Sequence, residues 1–566
     1  MNKILPIYIN KLSPCYSKDH LGNSGCPAKN DIPRFLYLVS QRRFEEAFYI
    51  LKETNPFSAG CGRFCDHPCE TACNRGKFDQ AVDIKSLERF VADWGYEHDL
   101  KPMRKGDLKD KQIAIIGSGP SGLSCAYFMA MDGYKVDVYE RHSTAGGLLS
   151  EGIPSYRYPK SVFEKELNYI LNLGVNIYTN YNVDHNKFLN LAEEYDAVIV
   201  ATGAQKPGSL NIEGEDLPDV LNGIEFLREI NLEGKLPDVK GESIGVIGGG
   251  YTAFDVARCS VRLGLDATIV YRRTVSEMTA HPGEVKECED EGVKFHFLKQ
   301  PIKIEKTDKN RLRLICQNMK LGPVDETGRS KPIPIKNSFS EFEFDKIVLA
   351  VGDKPDLSFI GDRFINEFPK LNCMDLPENL RKKIFISGDA AMGGSDLVGM
   401  VVRAVGSAQE TVKYVKYFLN GDRYLEENRD IAYYDTINIK YFQKRSRYVE
   451  NKLRAKDRKD NFYEIVSTMD EDIAVSMASR CFYCGICIQC DWCYFYSDGT
   501  IFKLLKKWDP MKDMHFYKFN SKNITDATFK SVEACPRSAL SVVRDSQEFK
   551  KYIDAQYIDL KSEEQE

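Results

Sequence analysis

The sequence predicts an α/β chain with two parallel-sheet units at its centre and a small cysteine-bearing domain at each end. Three observations carry this: a strand–glycine–helix–strand pattern that occurs twice, a length of 566 residues, and an uneven spread of 17 cysteines. A chain of that length exceeds what one hydrophobic core organises, so three or four domains are expected. At 43% hydrophobic and 28% charged residues with a net charge of -5, the composition is ordinary for a globular protein and gives no reason to expect a nucleic-acid partner. No apolar run approaches membrane-spanning length, and MNKILPIYINK lacks a signal-peptide h-region and cleavage site; a cytoplasmic location is expected.

The first pattern is KQIAIIGSGPSGLSCAYFMAMDGYKVDVYE. A β-rich run, Ile113 to Ile116, enters Gly117, Gly119 and Gly122 at G-x-G-x-x-G spacing, with Pro120 and Ser121 opening a helix. A second strand, Lys135 to Tyr139, ends in Glu140 and Arg141. The glycines let backbone approach a pyrophosphate at a helix N-terminus, and the acid accepts from a ribose hydroxyl.

The second pattern, ESIGVIGGGYTAFDVARCSVRLGLDATIVYRR, repeats the plan with Gly248, Gly250, Tyr251, Thr252 and Ala253 at the turn. Its second strand ends in Arg272 and Arg273 rather than an acid. A cationic pair at the ribose position suits a 2'-phosphate, so the first site reads as FAD and the second as NADP(H), with a solvated strand end as the alternative for the arginines. Two dinucleotide folds in one chain imply a hydride path from nicotinamide to flavin. Thr202 and Gly203 after AVIV, and Ala350 and Gly352 after KIVL, are small-residue turns beside a cofactor. Gly388 and Asp389 in ISGDAA supply an acid for a flavin's ribityl or phosphate arm.

These residues resemble the small subunit of glutamate synthase and its relatives, including the large subunit of electron-bifurcating ferredoxin:NADP oxidoreductase. The resemblance rests on CGRFCDHPCETACNRG, SLERFVADW, GSGPSGL, AGGLLSEGIPSYRYPK, ATGAQKP, GGGYTAFDVAR, YRRTVSEMTA, AVGDKPD and ISGDAA, across about residues 15 to 410. It implies FAD at Gly117, Gly119, Gly122, Glu140, Gly147, Leu148, Gly388 and Asp389, and NAD(P)H at Gly250, Thr252, Ala253, Arg272 and Arg273. Disulfide reductases of this architecture need a C-x2-C pair facing the flavin. The central cysteines, Cys125, Cys259, Cys288, Cys316 and Cys373, have no such spacing, so electrons leave by another route.

Six cysteines lie between Cys15 and Cys73, with Cys61, Cys65, Cys69 and Cys73 every four residues. Their density indicates iron–sulfur or zinc, and a neighbouring flavin favours iron–sulfur. The resemblance carries over a cluster held by Cys26, Cys65, Cys69 and Glu88. Relatives have a second N-terminal cluster built from an upstream C-x2-C pair and residues matching Cys15 and Cys73. No such pair precedes Cys15 here, so one N-terminal cluster is expected, with Cys61 packed and Cys15 and Cys73 either vestigial or part of a second cluster assembled differently.

In the tail, CFYCGICIQCDWCYFYSDGTI breaks a C-x2-C-x2-C-x3-C-P motif, with Ser497 where the fourth cysteine is due. Two-cluster ferredoxins exchange fourth ligands between motifs. Counting back from Cys535-Pro536, one cluster retains Cys487, Cys490, Cys493 and Cys535. The other would need Ser497, Thr525, Thr528 and Ser531, and has lost every thiol. One C-terminal 4Fe-4S cluster is therefore expected, over zinc or a dead domain, leaving Cys481 and Cys484 surplus to it, either ligating something further or packed.

The expected organisation is α/β: two Rossmann-type dinucleotide-binding domains, preceded by an α-helical Fe-S domain and followed by a small ferredoxin-like α+β domain. The boundaries are 1–108 for the helical Fe-S domain, 109–240 with 346–425 for FAD, and 241–345 for NAD(P)H. Residues 426–475 form a solvated linker, with MDEDIAVSMASR a capped helix, and 476–566 the ferredoxin-like domain. The expected function is hydride exchange between NADP(H) and FAD, then one-electron transfer through 4Fe-4S clusters to or from a partner enzyme or ferredoxin, with no acid–base residue required. Alternatives are glutamate synthase small subunit proper, a stand-alone ferredoxin:NADP reductase, and a scaffold with decayed cofactor sites.

Overall fold

The computed structural model describes residues 5–8, 11–18, 24–233, 242–325, 328–392, 399–421, 424–425, 430–488, 490–499, 501–503, 517–519, 525–543 and 557–558. Among these, no helix is long and apolar enough to cross a membrane.

The N-terminal unit is helical. Helix Ile32–Ser40 is capped by Asp31, which accepts from the Arg34 amide at 3.3 Å, and buries Ile32, Phe35, Leu36, Leu38 and Val39. That spacing is one face of a helix, and it packs on Phe44–Lys52 and Ile84–Glu97. Close approach is built in: the Gly95 Cα lies under the Phe48 ring, and Gly62 lies against the Arg89 backbone.

Two parallel sheets follow. The first runs Phe364–Glu367, Lys370–Cys373, Ile384–Ile386, Ala197–Val200, Gln112–Ile116, Lys135–Tyr139 and Asn176–Tyr178, with its first two strands antiparallel at one edge. Its central strands read as unbroken apolar runs because helices cover both faces. The second runs Val220–Asn222, Lys346–Leu349, Ser243–Ile247, Asp266–Tyr271 and Lys294–Phe297, all parallel.

The division at 240/241 and 345/346 needs correction. Val220–Asn222 and Lys346–Leu349 both hydrogen-bond within the second sheet, so the chain enters that unit earlier and leaves it later. KIVL is apolar enough for either sheet, and the open edge beside Ser243–Ile247 decides. A three-stranded antiparallel meander, Lys299–Lys306, Leu312–Val324 and Ser330–Phe344, is inserted before that return. It covers the second sheet through Ile304, Leu312, Leu314 and Phe344.

The connector 426–475 is also not a solvated linker over its described part. Arg447 ion-pairs with Glu70 and Asp83, both at 2.6 Å, and the Ile465 amide donates to the Tyr156 carbonyl at 3.1 Å. Ala432, Ile437 and Ile465 are buried. Arg447, Arg458 and Glu464 find their partners on the domains the connector crosses. Helix Glu471–Ala478 follows, capped as expected by Asp470, which accepts from the Ile473 amide at 2.8 Å.

The tail contributes helices Trp492–Phe495 and Asp526–Glu533, a hairpin of Ile501–Lys503 with Tyr517–Phe519, and strand Leu540–Val543. That last strand pairs antiparallel with Leu5–Tyr8. The first strand of the chain thus belongs to the C-terminal unit, against the expected 1–108 boundary, because pairing across so many residues leaves no local signal.

Candidate functional site

At the carboxyl ends of the first sheet the strands open on a cavity of about 750 Å3, within the usual range for ligand sites. Gly117, Gly119, Pro120, Ser121, Glu140, Arg141, Leu148, Thr202, Gly203 and Asp389 all line it. Gly122, Gly147 and Gly388 stand just behind and let backbones close up: a Cβ on Gly122 would lie 2.0 Å from the Gly117 carbonyl oxygen. Glu140 orients the turn, its Oε2 accepting from the Ser118 amide and hydroxyl at 3.0 and 2.6 Å and its Oε1 from the His142 amide at 2.9 Å.

The ISGDAA segment is drawn onto the same turn, Ser121 Oγ donating to Ser387 Oγ at 2.7 Å and the Gly388 amide to Ser407 Oγ at 2.9 Å. Two buried polar atoms lining the cavity, Thr202 Oγ1 and Asp389 Oδ1, have no hydrogen-bond partner. Burial pushes the Asp389 carboxyl up to about 6, opposed by the Gly399 amide. Buried polar atoms without partners are costly, and hydroxyls or a phosphate of a bound dinucleotide would satisfy both. The cavity therefore fits FAD.

At the second motif, Gly248 packs against the Ala350 carbonyl and the Ala253 side chain, and Gly250 faces open space but for Thr279. Tyr251 and Thr252 begin helix Tyr251–Arg262. Gly352 has φ +94° and no heavy atom within 4 Å of where a Cβ would stand. The two arginines do not act as a pair. Arg272 is exposed, whereas Arg273 is buried, ion-paired to Asp325 at 2.9 Å and donating to the Ser330 carbonyl at 2.9 Å. The meander, invisible to the strand-end argument, claims Arg273.

Cys26, Cys65, Cys69 and Glu88 come from separate pieces of the helical unit and lie together: Cys69 interacts electrostatically with Cys26, Cys65 and Glu88, and Glu88 with all three thiols. Burial pushes Glu88 up to about 8, although Asn30 and Asn55 each donate to its Oε1 at 3.0 Å. Burial pushes Cys26 up to about 12. Backbone amides of Ala28, Lys29 and Asn30 face its sulfur, and the His67 amide donates to Cys65 Sγ at 3.3 Å. Buried soft donors facing amide N–H groups are the donor set of an iron–sulfur cluster. Among the described residues no three His, Cys, Asp or Glu side chains are placed to hold a single metal ion.

This site adjoins the cavity. Gln409 donates to the carbonyls of Ala28 and Thr54 at 2.8 and 2.7 Å, and Lys29 pairs with Glu410 at 2.6 Å. Ala404, on the same helix Val401–Asn420, lines the cavity. Those positions are five residues apart, about 7.5 Å along the axis.

In the tail, Cys487, Cys490, Cys493 and Cys535 line one small cavity with Ile486, Pro536 and Arg537. Of the abandoned set, Ser497 is buried and donates to the Tyr494 carbonyl at 2.8 Å, Ser531 is buried, Thr525 is exposed, and the Thr528 side chain lies outside the described residues. Sequence reasoning missed Asn30 and Asn55, and also Asn222, Glu225 and Arg228 from the second unit, which reach the flavin cavity. No motif marked them; Ser118, inside GSGPSG, was the one with a signal.

A sequence profile described as pyridine nucleotide-disulphide oxidoreductase matches residues 111–409, more than half of the chain and both glycine motifs. The chain belongs to the pyridine nucleotide-disulphide oxidoreductase family. A second profile, dihydropyrimidine dehydrogenase domain II with a 4Fe-4S cluster, matches residues 11–100. This pyridine nucleotide-disulphide oxidoreductase is 32% identical over 503 residues to NADPH-Fe(3+) oxidoreductase subunit beta of Geobacter sulfurreducens, covering 81% of this chain and 74% of the relative. It is 33% identical over 497 residues to NADP(+)-dependent formate dehydrogenase subunit beta of Moorella thermoacetica, covering 81% and 69%. With the glutamate synthase (NADPH) small chain of Halomonas elongata it shares 32% identity over 403 residues, covering 67% and 85%. The chain is thus an FAD- and NADP(H)-dependent oxidoreductase with a 4Fe-4S domain. Its five central cysteines are all buried, and no two form a C-x2-C pair.

Proposed function

We propose that this oxidoreductase is the electron-transfer subunit of a cytoplasmic hetero-oligomer, exchanging electrons between NADP(H) and a larger redox enzyme or a ferredoxin. FAD supplies hydride chemistry on one side and single-electron chemistry on the other, and 4Fe-4S clusters conduct single electrons. The observation that carries the reading is the convergence of Cys487, Cys490, Cys493 and Cys535 on one cavity, remote in sequence from the flavin crevice. A reductase serving only a small diffusible acceptor has no use for such a terminal site.

The residues divide the work. Gly117, Gly119, Pro120, Ser121, Gly122, Gly147 and Leu148 would hold the FAD pyrophosphate region, with Glu140 and Arg141 on the ribose and Thr202, Gly203, Gly388 and Asp389 on the remaining arm. Gly248, Gly250, Tyr251, Thr252, Ala253, Ala350 and Gly352 would seat the nicotinamide dinucleotide, and Arg272 would face its 2'-phosphate. Cys26, Cys65, Cys69 and Glu88 would hold a cluster beside the flavin helix. Purification from native cells tests the proposal: the chain is expected to elute with a second redox protein. Elution as a flavoprotein alone, at full NADPH-dependent activity toward free ferredoxin, would favour the stand-alone reductase.

A further inference from the structure

Cys481 and Cys484, surplus to the tail cluster, are folded back onto the N-terminal unit. The Ser13 hydroxyl donates to the Cys484 carbonyl at 2.8 Å, the Lys11 amide to the Gly485 carbonyl at 2.9 Å, and Asn74 Nδ2 to Cys484 Sγ at 3.4 Å. Cys15 is buried in the same core against which Cys73 and Cys481 pack. Four thiols from three distant stretches are thereby neighbours: Cys15 interacts with Cys73, Cys481 and Cys484, and Cys73 with both tail cysteines. All four are free of disulfides.

The sulfurs face donors. The Tyr483 amide donates to Cys481 Sγ at 3.3 Å, and the backbone amides of Arg75, Gly76 and Val82 face the Cys73 sulfur. Arg537, only 4% exposed, stands beside Cys481 and Cys484, and its Nε and Nη1 have no hydrogen-bond partner. A buried guanidinium is costly without a neighbouring anion. Arg537 also lines the cavity of Cys487, Cys490, Cys493 and Cys535, so it stands between the two thiol groups, where neutral thiols packed as small hydrophobes supply no anion and thiolate-ligated clusters do.

We infer that Cys15, Cys73, Cys481 and Cys484 ligate a further iron–sulfur cluster, of the 4Fe-4S class, that bridges the N-terminal unit and the tail. The inference rests on the iron–sulfur reading of the two flanking sites and adds a centre between them. Its position makes it the joining step. The Cys26 amide donates to the Cys15 carbonyl at 2.7 Å, Cys69 and Cys73 are four residues apart, and Cys484 precedes Cys487 by three. Electrons arriving beside the flavin helix would pass through it to Cys487, Cys490, Cys493 and Cys535. A mononuclear zinc site would bring its sulfurs to about 4 Å of one another, and no group among the described residues is placed to hold a single ion.

The test counts iron and acid-labile sulfide in the full chain, purified anaerobically, alongside flavin and NADPH bleaching. The wild-type chain is expected to hold roughly twelve irons, three 4Fe-4S clusters. The pair Cys481→Ala/Cys484→Ala and the pair Cys15→Ala/Cys73→Ala should each lose about a third of the iron and one cluster EPR signal while keeping flavin, and combining all four should cost no more. Retained flavin shows that a variant is folded. A wild-type content of roughly eight irons, two clusters, or an iron count unmoved by either pair, would overturn the inference, as would stoichiometric zinc. Loss of NADPH bleaching with the iron pattern intact would instead overturn the functional reading and leave this site standing.

Discussion

Arg157 Nε lies 2.6 Å from Asp255 Oδ1, and this ion pair joins the loop beyond the flavin crevice to the helix of the second glycine motif. It is the centre of a buried network. Tyr156 donates to the same Asp255 oxygen at 3.1 Å, Arg262 stacks on the Tyr156 ring at 3.9 Å, and Arg258 and Arg262 converge on Glu291. The connector joins through Arg458, 3.0 Å from Glu291. The two nucleotide units are thereby held in one relation, which hydride transfer requires.

Asp255→Ala would leave the buried Arg157 with Glu284 as its remaining partner and Tyr156 without its acceptor. Removing one partner of a buried pair costs about 3 to 5 kcal/mol where nothing replaces it, and less is expected here. A lower denaturant midpoint is expected, together with slower reduction of bound flavin by NADPH, and Asp255→Asn should show a smaller loss of both.

Glu140→Gln removes the carboxylate that holds the Ser118 turn and would accept from ribose. Hydrogen bonds to a charged group contribute about 1.5 to 3 kcal/mol, so flavin should bind tenfold to a hundredfold more weakly, read from the flavin-to-protein ratio after dialysis. Unchanged flavin content would show that this crevice is not the FAD site.

Asp389 gives the flavin-free protein a pH dependence. Burial raises its carboxyl to about 6, above the ordinary value of about 3.9. Between those values the folded chain holds a proton that the unfolded chain has lost, so this contribution to stability falls as pH rises through the window. Relative to Asp389→Asn, the flavin-free wild type should gain about 1 kcal/mol from pH 7 down to about pH 5, measured by thermal melting.

The arginines are distinguishable. Arg272→Ala should raise KM for NADPH about tenfold, the loss of one charge-assisted contact, and leave NADH use unchanged. Arg273→Ala should instead lower the melting temperature by breaking its ion pair with Asp325 and its bond to the Ser330 carbonyl, with little effect on the NADPH-to-NADH ratio.

Much of this was legible because glycine spacing and strand composition are local. GSGPSG and GGGYTA mark both glycine turns, and the four-cysteine convergence in the tail follows from counting back from Cys535. What stayed hidden is pairing across distance. Leu5–Tyr8 joins Leu540–Val543, the meander claims Arg273, and Arg447 turns a charged stretch into a strap on Glu70 and Asp83. The absence of a C-x2-C pair before Cys15 left a vestigial thiol and a differently assembled cluster both open, and the structure sets Cys481 and Cys484 beside it, more than 460 positions on.

Anaerobic titration of the purified chain with NADPH tests the central claim most directly, followed in one experiment by flavin absorbance and cluster EPR. NADPH is expected to bleach the flavin, and reduced iron–sulfur signals should then appear without added partner or mediator, to an extent set by the cluster potentials. In Cys535→Ala the flavin should still bleach while one signal is lost. A chain that holds flavin and iron yet shows no bleaching with NADPH would contradict it.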